Sequence, residues 1–204
     1  MANDLTIGQV GAGGISDGAT RAARGGRYGA MAVMQAHGKY FDAVDRGAVF
    51  MASGQAEVTF GTALTATGVT YHLYNPAGSG KNLVVLQTTL TIRSAGTAGH
   101  IVYAVNATAG QAAPATTTSL TVFNGMLIGG ESNVGRAFSV ATLPAVPVAV
   151  RTLAGSVGTA ANVYSLVDTV DGLIVLPENT ILSIQGITIV ASGIISMVWE
   201  EVSP

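Results

Sequence analysis

Val84-Val85-Leu86-Gln87-Thr88-Thr89-Leu90-Thr91-Ile92-Arg93 is the stretch that decides the fold class. Taken two residues at a time, Val84, Leu86, Thr88, Leu90 and Ile92 make one mostly apolar face, and Val85, Gln87, Thr89, Thr91 and Arg93 make the other. Successive side chains of a strand point to opposite faces, so a period of two predicts a half-buried strand; a helix would repeat its apolar residues every three or four. Working outward, comparable runs stand at residues 69–74, 101–105, 120–123, 138–142, 146–152, 163–167, 173–176, 181–184 and 194–198. Val, Ile and Thr dominate them, and β-branched side chains suit a pleated surface. Turn signals separate the runs: Asn75-Pro76, Ala95-Gly96, Asn124-Gly125, Gly129-Gly130, Asp171-Gly172 and Pro177. Many short strands with regular turns predict an all-β sandwich or barrel, and the lack of interleaved helices argues against parallel βαβ units. The small residues of 107–119 read as an exposed loop.

The 204 residues are 49% hydrophobic and only 10% charged, where an average soluble domain carries about 25%. A mean hydropathy of +0.48 would suit a membrane protein. Yet the most apolar stretch, residues 186–199, is broken by Thr188, Ser192, Gly193 and Ser196, short of the roughly 18 apolar residues a spanning helix needs. Disorder needs the opposite composition. Too little charge for an ordinary monomer surface implies that other protein covers part of it. The net charge of −2 favours neither nucleic acid nor an acidic membrane. Without cysteine there are no disulfides and no thiolate ligands or nucleophiles. Residues 1–10 show no basic region leading into an apolar run, so synthesis in a cytoplasm is expected.

Composition changes near Gly47. Nine of the twenty charges fall in residues 1–46, together with Gly8, Gly11, Gly13, Gly14, Gly18, Gly25 and Gly26. Glycine loses much backbone entropy on ordering and brings nothing to bury, which predicts an extended N-terminal arm over 1–46 ahead of a β domain over 47–204. The arm's best helix candidate is residues 28–37, rich in Ala and Met and ended by Gly38. Arg21, Arg24 and Arg27 recur every third residue, a stripe on a helix. They serve either partner carboxylates at an interface or simply solvent. Nucleic acid is a weaker reading because no aromatic residues interleave.

Chemical motifs are sparse. Asn75-Pro-Ala-Gly-Ser-Gly-Lys-Asn82 approaches a P-loop, but Asn75 replaces the first glycine, Asn82 replaces the Ser/Thr, and a strand follows where a helix N-terminus is required. A hairpin loop whose glycines take positive φ is the simpler reading. The cluster Gly11-Ala-Gly-Gly-Ile-Ser16 lacks both the preceding strand and the third glycine of a dinucleotide site. His37, His72 and His100 are too scattered to predict a metal centre. Asp171-Gly172 reads as a hairpin turn rather than part of a calcium loop with Asp168. Glu200 and Glu201, adjacent on a strand, point to opposite faces and cannot pair for acid–base work. No nucleophile elbow exists, and an enzyme is not expected.

Two stretches, His37-Gly-Lys-Tyr-Phe-Asp-Ala-Val-Asp-Arg-Gly-Ala-Val-Phe50 and Asn75-Pro-Ala-Gly-Ser-Gly-Lys-Asn-Leu-Val-Val-Leu86, resemble segments of tailed-bacteriophage virion structural proteins. Leu176-Pro-Glu-Asn-Thr-Ile-Leu-Ser-Ile184 and Met197-Val-Trp-Glu-Glu201 are similar to them as well, so the resemblance spans about residues 37–201. Among such proteins the chain resembles capsid decoration, or cement, proteins. That resemblance implies a jelly-roll-like antiparallel β-sandwich on the outer surface of the virion head, locking the major capsid shell. It implies the major capsid protein and further copies of the chain as partners, a homotrimer before a dimer, with no nucleic acid and no membrane. No catalytic, metal or cofactor residues carry over and no cofactor is expected. Tyr40 and Phe41, in the first segment, join Arg21, Arg24 and Arg27 as candidate partner-binding residues. The competing reading is a tail- or fibre-associated adhesin whose loops bind a host glycan. It would favour exposed aromatics, and the chain holds one Trp, 6 Tyr and 5 Phe. A glycosidase would need carboxylates facing each other across a cleft.

Overall fold

Residues 38–106, 112–128, 130, 132–156 and 164–204 are described in the computed structural model. Contacts divide the chain into Met1–Phe41 and Asp42–Pro204. The helix candidate at 28–37 lies outside the described residues. A five-residue helix, α1 (Phe41–Asp45), follows it in the described chain. Gly47 ends it in the left-handed region at φ 70°. Its N–H donates to Val44 (2.8 Å) while the Ala48 N–H donates to Ala43 (3.0 Å), the paired bonds of a glycine-terminated helix.

Twelve strands follow among the described residues: β1 (Val49–Ser53), β2 (Val58–Phe60), β3 (Thr67–Asn75), β4 (Asn82–Thr97), β5 (Gly99–Asn106), β6 (Ala115–Ser119), β7 (Val122–Asn124), β8 (Arg136–Thr142), β9 (Val148–Ser156), β10 (Tyr164–Leu176), β11 (Thr180–Ile187) and β12 (Val190–Val202). They form two antiparallel sheets. The first is ordered β10-β4-β12-β1-β7 with β2 also on β12, and the second β6-β8-β3-β11-β5-β9. Eight of these strands nest like a hairpin folded over on itself. The outermost pair is β1 with β12, then β3 with β11, β4 with β10, and innermost β5 with β9. That nesting, split over two sheets, is the jelly roll. The strands β6, β7 and β8 belong to the connection between β5 and β9, and they widen both sheets on the side away from β9 and β10.

The core lies between the sheets. Trp199, Phe50, Tyr71, Tyr103, Leu73 and Leu90 are all buried there. A smaller cluster of Tyr74, Phe138, Ala141, Leu143 and Ile181 covers the outer face of the second sheet. Residues 143–147 explain it. They connect β8 to β9, which are separated by β3, β11 and β5, so the connection must cross about 19 Å of sheet face. Leu143 N–H donates to Ala66 (2.6 Å), and Asn106 Nδ2 donates to Ala145 (2.9 Å), tying the crossing down.

Several local expectations are corrected. β4 changes phase: Leu83 and Val85 are buried, then Leu86, Thr88, Leu90 and Ile92, while Val84 is only half-buried. A bulge at Leu86, between the pairs Gln87–Val198 and Val85–Trp199, shifts the alternation by one. Ala95-Gly96 is no turn but part of β4. Asn75–Asn82 is not a hairpin, since β3 and β4 belong to different sheets; its Gly78 and Gly80 do take positive φ, 73° and 64°. Residue 163 lies outside the described residues; the rest of the run at 163–167 and the run at 173–176 are one strand, β10, and Asp171-Gly172 is a bulge within it. Residues 115–119 of the expected loop form the exposed edge strand β6, and residues 107–111 lie outside the described residues.

Candidate functional site

Two apolar surfaces stand out, on opposite edges of the sandwich. At one, β9 and β10 lie side by side as the outer strands of their respective sheets. Arg151 Nη2 donates to Asp168 Oδ1 (2.8 Å) and the Tyr103 hydroxyl donates to Asp168 Oδ2 (2.8 Å), which clamps the sheets at their margin. The Arg151 guanidinium also lies 5.9 Å from the Tyr103 ring centroid. Burial pushes the Tyr103 phenol well above its usual range, and Asp168, which accepts its proton, adds to that. The two charges of this clamp face each other, while Arg151 Nη1 is buried without a hydrogen-bond partner.

Bulges shape this margin. On β10, the five steps from Thr169 to Ile174 face only two on β4, from Gln87 to Val85. Asp171 (φ 52°) and Gly172 (φ 83°) absorb the excess and throw Leu173 outward, 81% exposed. On β9, Val150 is the extra residue between the pairs Arg151–Tyr103 and Ala149–Ala104. Val150 and Leu173 thus stand at an open cavity of about 330 Å³ whose other walls include Val105, Ile174, Val175 and Leu182.

At the opposite edge of the first sheet, β7 pairs with β1 through Met51 and Phe123. The turn after it is held from both sides. Gly125 N–H donates to Val49 (2.7 Å), Asn124 Nδ2 to Gly47 (2.6 Å), and Met126 N–H to Asn124 Oδ1 (2.9 Å). So fixed, the turn projects Met126, Leu127 and Ile128 outward, the last two 72% and 88% exposed, with Phe123 beside them. Leu127 sits at φ 61°, where a residue with a Cβ costs about 1 kcal/mol or more. The turn thus carries three consecutive apolar residues, all exposed, on strained and well-bonded backbone.

Among the described residues, those singled out from the sequence are not gathered into one site. Arg21, Arg24 and Arg27 lie outside the described residues. Tyr40 is half-buried with the Lys39 ammonium 5.2 Å from its ring centroid, and Phe41, the first residue of α1, is 44% exposed. His72 pairs across to Ser183 and His100 to Ile187, four residues apart on β11 and so roughly 13 Å apart along the strand. His37 is not described. In the loop over 76–81, the Gly78 and Gly80 N–H groups both donate to the Glu178 carboxylate (2.9 and 2.6 Å), so the chain's own anion fills that nest. Glu200 approaches Arg46 at 3.5 Å. Glu201 faces inward, where Val134 N–H (2.9 Å), Gly135 N–H (2.8 Å) and Trp199 Nε1 (3.2 Å) donate to its carboxylate.

The sequence reading missed Met126-Leu127-Ile128. The available signal was an apolar triplet enclosed by Asn124-Gly125 and Gly129-Gly130, too short for a buried strand. The groove had no local signal, because it depends on which strands become edges. Among the described residues no helix is long and apolar enough to cross a membrane, and no group of three or more His, Asp or Glu side chains is placed to hold a metal ion. No family model, curated protein or solved structure matches the chain.

Proposed function

We infer that the chain is a non-enzymatic virion structural protein, a capsid decoration protein that binds the outer surface of the major capsid shell and stabilises the head. The observation that carries this reading is a jelly roll with exposed apolar surface at both outer edges, on a chain only 10% charged. A protein whose work is to lie against other protein needs such surfaces, whereas a free monomer is better served by charge. The resemblance of residues 37–50, 75–86, 176–184 and 197–201 to tailed-phage structural proteins supports the same reading. The partners are the major capsid protein and further copies of the chain, favouring a homotrimer. In this scheme Arg21, Arg24 and Arg27 pair with capsid carboxylates, and Tyr40 and Phe41 pack beside them.

Capsid pull-down with the full chain and with a form lacking residues 1–36, at low and high salt, tests the attachment. The truncated form should be retained less, and high salt should weaken retention of the full chain more than that of the truncated one, because exposed ion pairs are screened and apolar contacts are not. Equal retention throughout removes the role of the arm. Labelling that falls on tails instead of heads replaces the cement reading with the adhesin.

A further inference from the structure

We propose that residues 61–66 and 143–147, the two connections lying on the outer face of the second sheet, form an acid-released cover. It lies flat over a neutral His72, and protonation of that imidazole lifts it while both sheets stay paired. Register fixes the path of residues 143–147. Thr142 stands opposite Thr67 at one end of β3, and Val148 stands in the row of Val105, Leu182 and Leu73 near the other. The connection therefore runs diagonally over β3 and β11, across the rows that hold Thr70 and His72. Residues 61–66 join it from the Thr67 end. Leu143 N–H donates to Ala66 (2.6 Å), and Thr65 exchanges two bonds with Gln185 (2.9 and 3.0 Å).

What lies under this cover is unlike the core between the sheets. Thr70, His72, Ser183 and Gln185, neighbours on β3 and β11, are all buried there. Ser183 Oγ donates to Ala104 (3.2 Å), and Gln185 Nε2 donates to Ser183 Oγ (3.3 Å) as well as to Thr65. His72 is less well served: its Nε2 meets the Thr70 hydroxyl at 3.1 Å, and its Nδ1 is buried without a partner. A neutral ring tolerates one idle nitrogen. An imidazolium carries an N–H on both and needs acceptors and a countercharge. No strand of the second sheet contains Asp or Glu, and neither does either connection. The titratable groups on that face are Tyr74 on β3, Arg136 opposite it on β8 and, at the far end of β5, His100. None of them compensates a positive ring, so a proton on His72 is accommodated only by water.

The cover can lift by itself because no strand ladder passes through it. Its apolar cluster of Tyr74, Phe138, Ala141, Leu143 and Ile181, with Ala66, is separate from the core between the sheets. Loop backbone tied down by individual hydrogen bonds is the kind of region that opens before a fold unfolds. Water reaching His72 restores the ordinary protonation of an imidazole, so the open form takes up a proton that the closed form refuses. With the ring titrating at about 4 when covered and at 6.5 when open, opening is about 20-fold more favourable at pH 5 than at pH 7. None of this depends on what the chain attaches to.

Amide exchange of the full chain, resolved by residue with NMR and corrected for the intrinsic pH dependence of exchange, tests the cover. At pH 7 the Thr65 and Leu143 amides should be less protected than those of Ile195 and Met197 in β12, which marks opening short of unfolding. Between pH 7 and pH 5 the two cover amides should lose about 20-fold in protection. His72→Gln, or His72→Asn should the first not fold, should remove that loss, and His100→Gln should leave it unchanged. Cover amides as protected as those of β12 overturn the proposal, since the cover then opens only with the whole fold. Protection that is flat with pH in the unaltered chain also overturns it. So does a loss that persists in the His72 variant, which assigns the response to other groups.

Discussion

His72 shows how a polar residue on a strand can be read wrongly from its neighbours. Alternating with Tyr71 and Leu73, it belongs by pattern to a solvent face, yet it is buried on the outer face of the second sheet, where Thr70 Oγ1 lies 3.1 Å from its Nε2. Burial pushes its pKa down to about 4, with the Gly68 carbonyl opposing part of the shift. The fold therefore holds a neutral imidazole, while the unfolded chain takes up a proton below about 6.5. The stability this confers is complete above pH 6.5 and is lost as pH falls towards 4, in total about 3 kcal/mol. Urea unfolding at pH 7 and pH 4 should show that loss, and His72→Gln should reduce it. An unchanged pH dependence in the variant would show that other groups drive it. Glu201 carries a separate prediction. Glu201→Ala deprives two backbone N–H groups and the Trp199 indole of their acceptor and should cost about 3 kcal/mol, measured by the same unfolding, because unsatisfied buried donors are expensive.

At the scale of the element, corners and bulges carry the shape. β4 and β5 are separated by one residue yet lie in different sheets, so the chain turns sharply at Gly99. A Cβ there would lie 2.5 Å from backbone atoms of Ile187, Thr188 and Ile189. Gly99→Ala should lower the melting temperature with a cost of about 2 kcal/mol, whereas Gly155→Ala, whose Cβ meets nothing nearer than 3.7 Å, should be close to neutral. In the loop over 76–81, the Gly78 and Gly80 amides are taken by Glu178, and Lys81→Ala should leave stability within about 0.5 kcal/mol. Nucleotide binding lost with Lys81 would contradict that account of the loop. These elements also mark where the sequence was legible. From Leu86 to Ile92 the alternation gave the strand and its buried face correctly. It failed at Val84-Val85, where two adjacent valines fit either phase and only the pairing with β12 selects one. Asp171-Gly172 was misread because its local chemistry is that of a hairpin, while the long ladder with β4 carries the strand past it.

For the whole molecule, the fold class was readable because a period of two and frequent turns are local properties. Which strands end up at the margins is a product of the nesting, so neither the groove beside Leu173 nor the outward turn at Ile128 could be placed in advance. Charge content led to an expectation of covered surface without saying where, and the exposed apolar side chains gather near the two opposite edges of the first sheet.

The position of β12, between β1 and β4 at the middle of the first sheet, sets a timetable. It is made after the other eleven strands. At roughly 5–20 residues per second, the ribosome delivers Val190 about 7–30 s after Val49. β1 waits throughout that interval, and β4 from Thr97 onward, each with the edge that β12 will take still unpaired. An edge held open for so long is a template for pairing with a neighbouring chain, and only the arrival of the last strand closes the sheet.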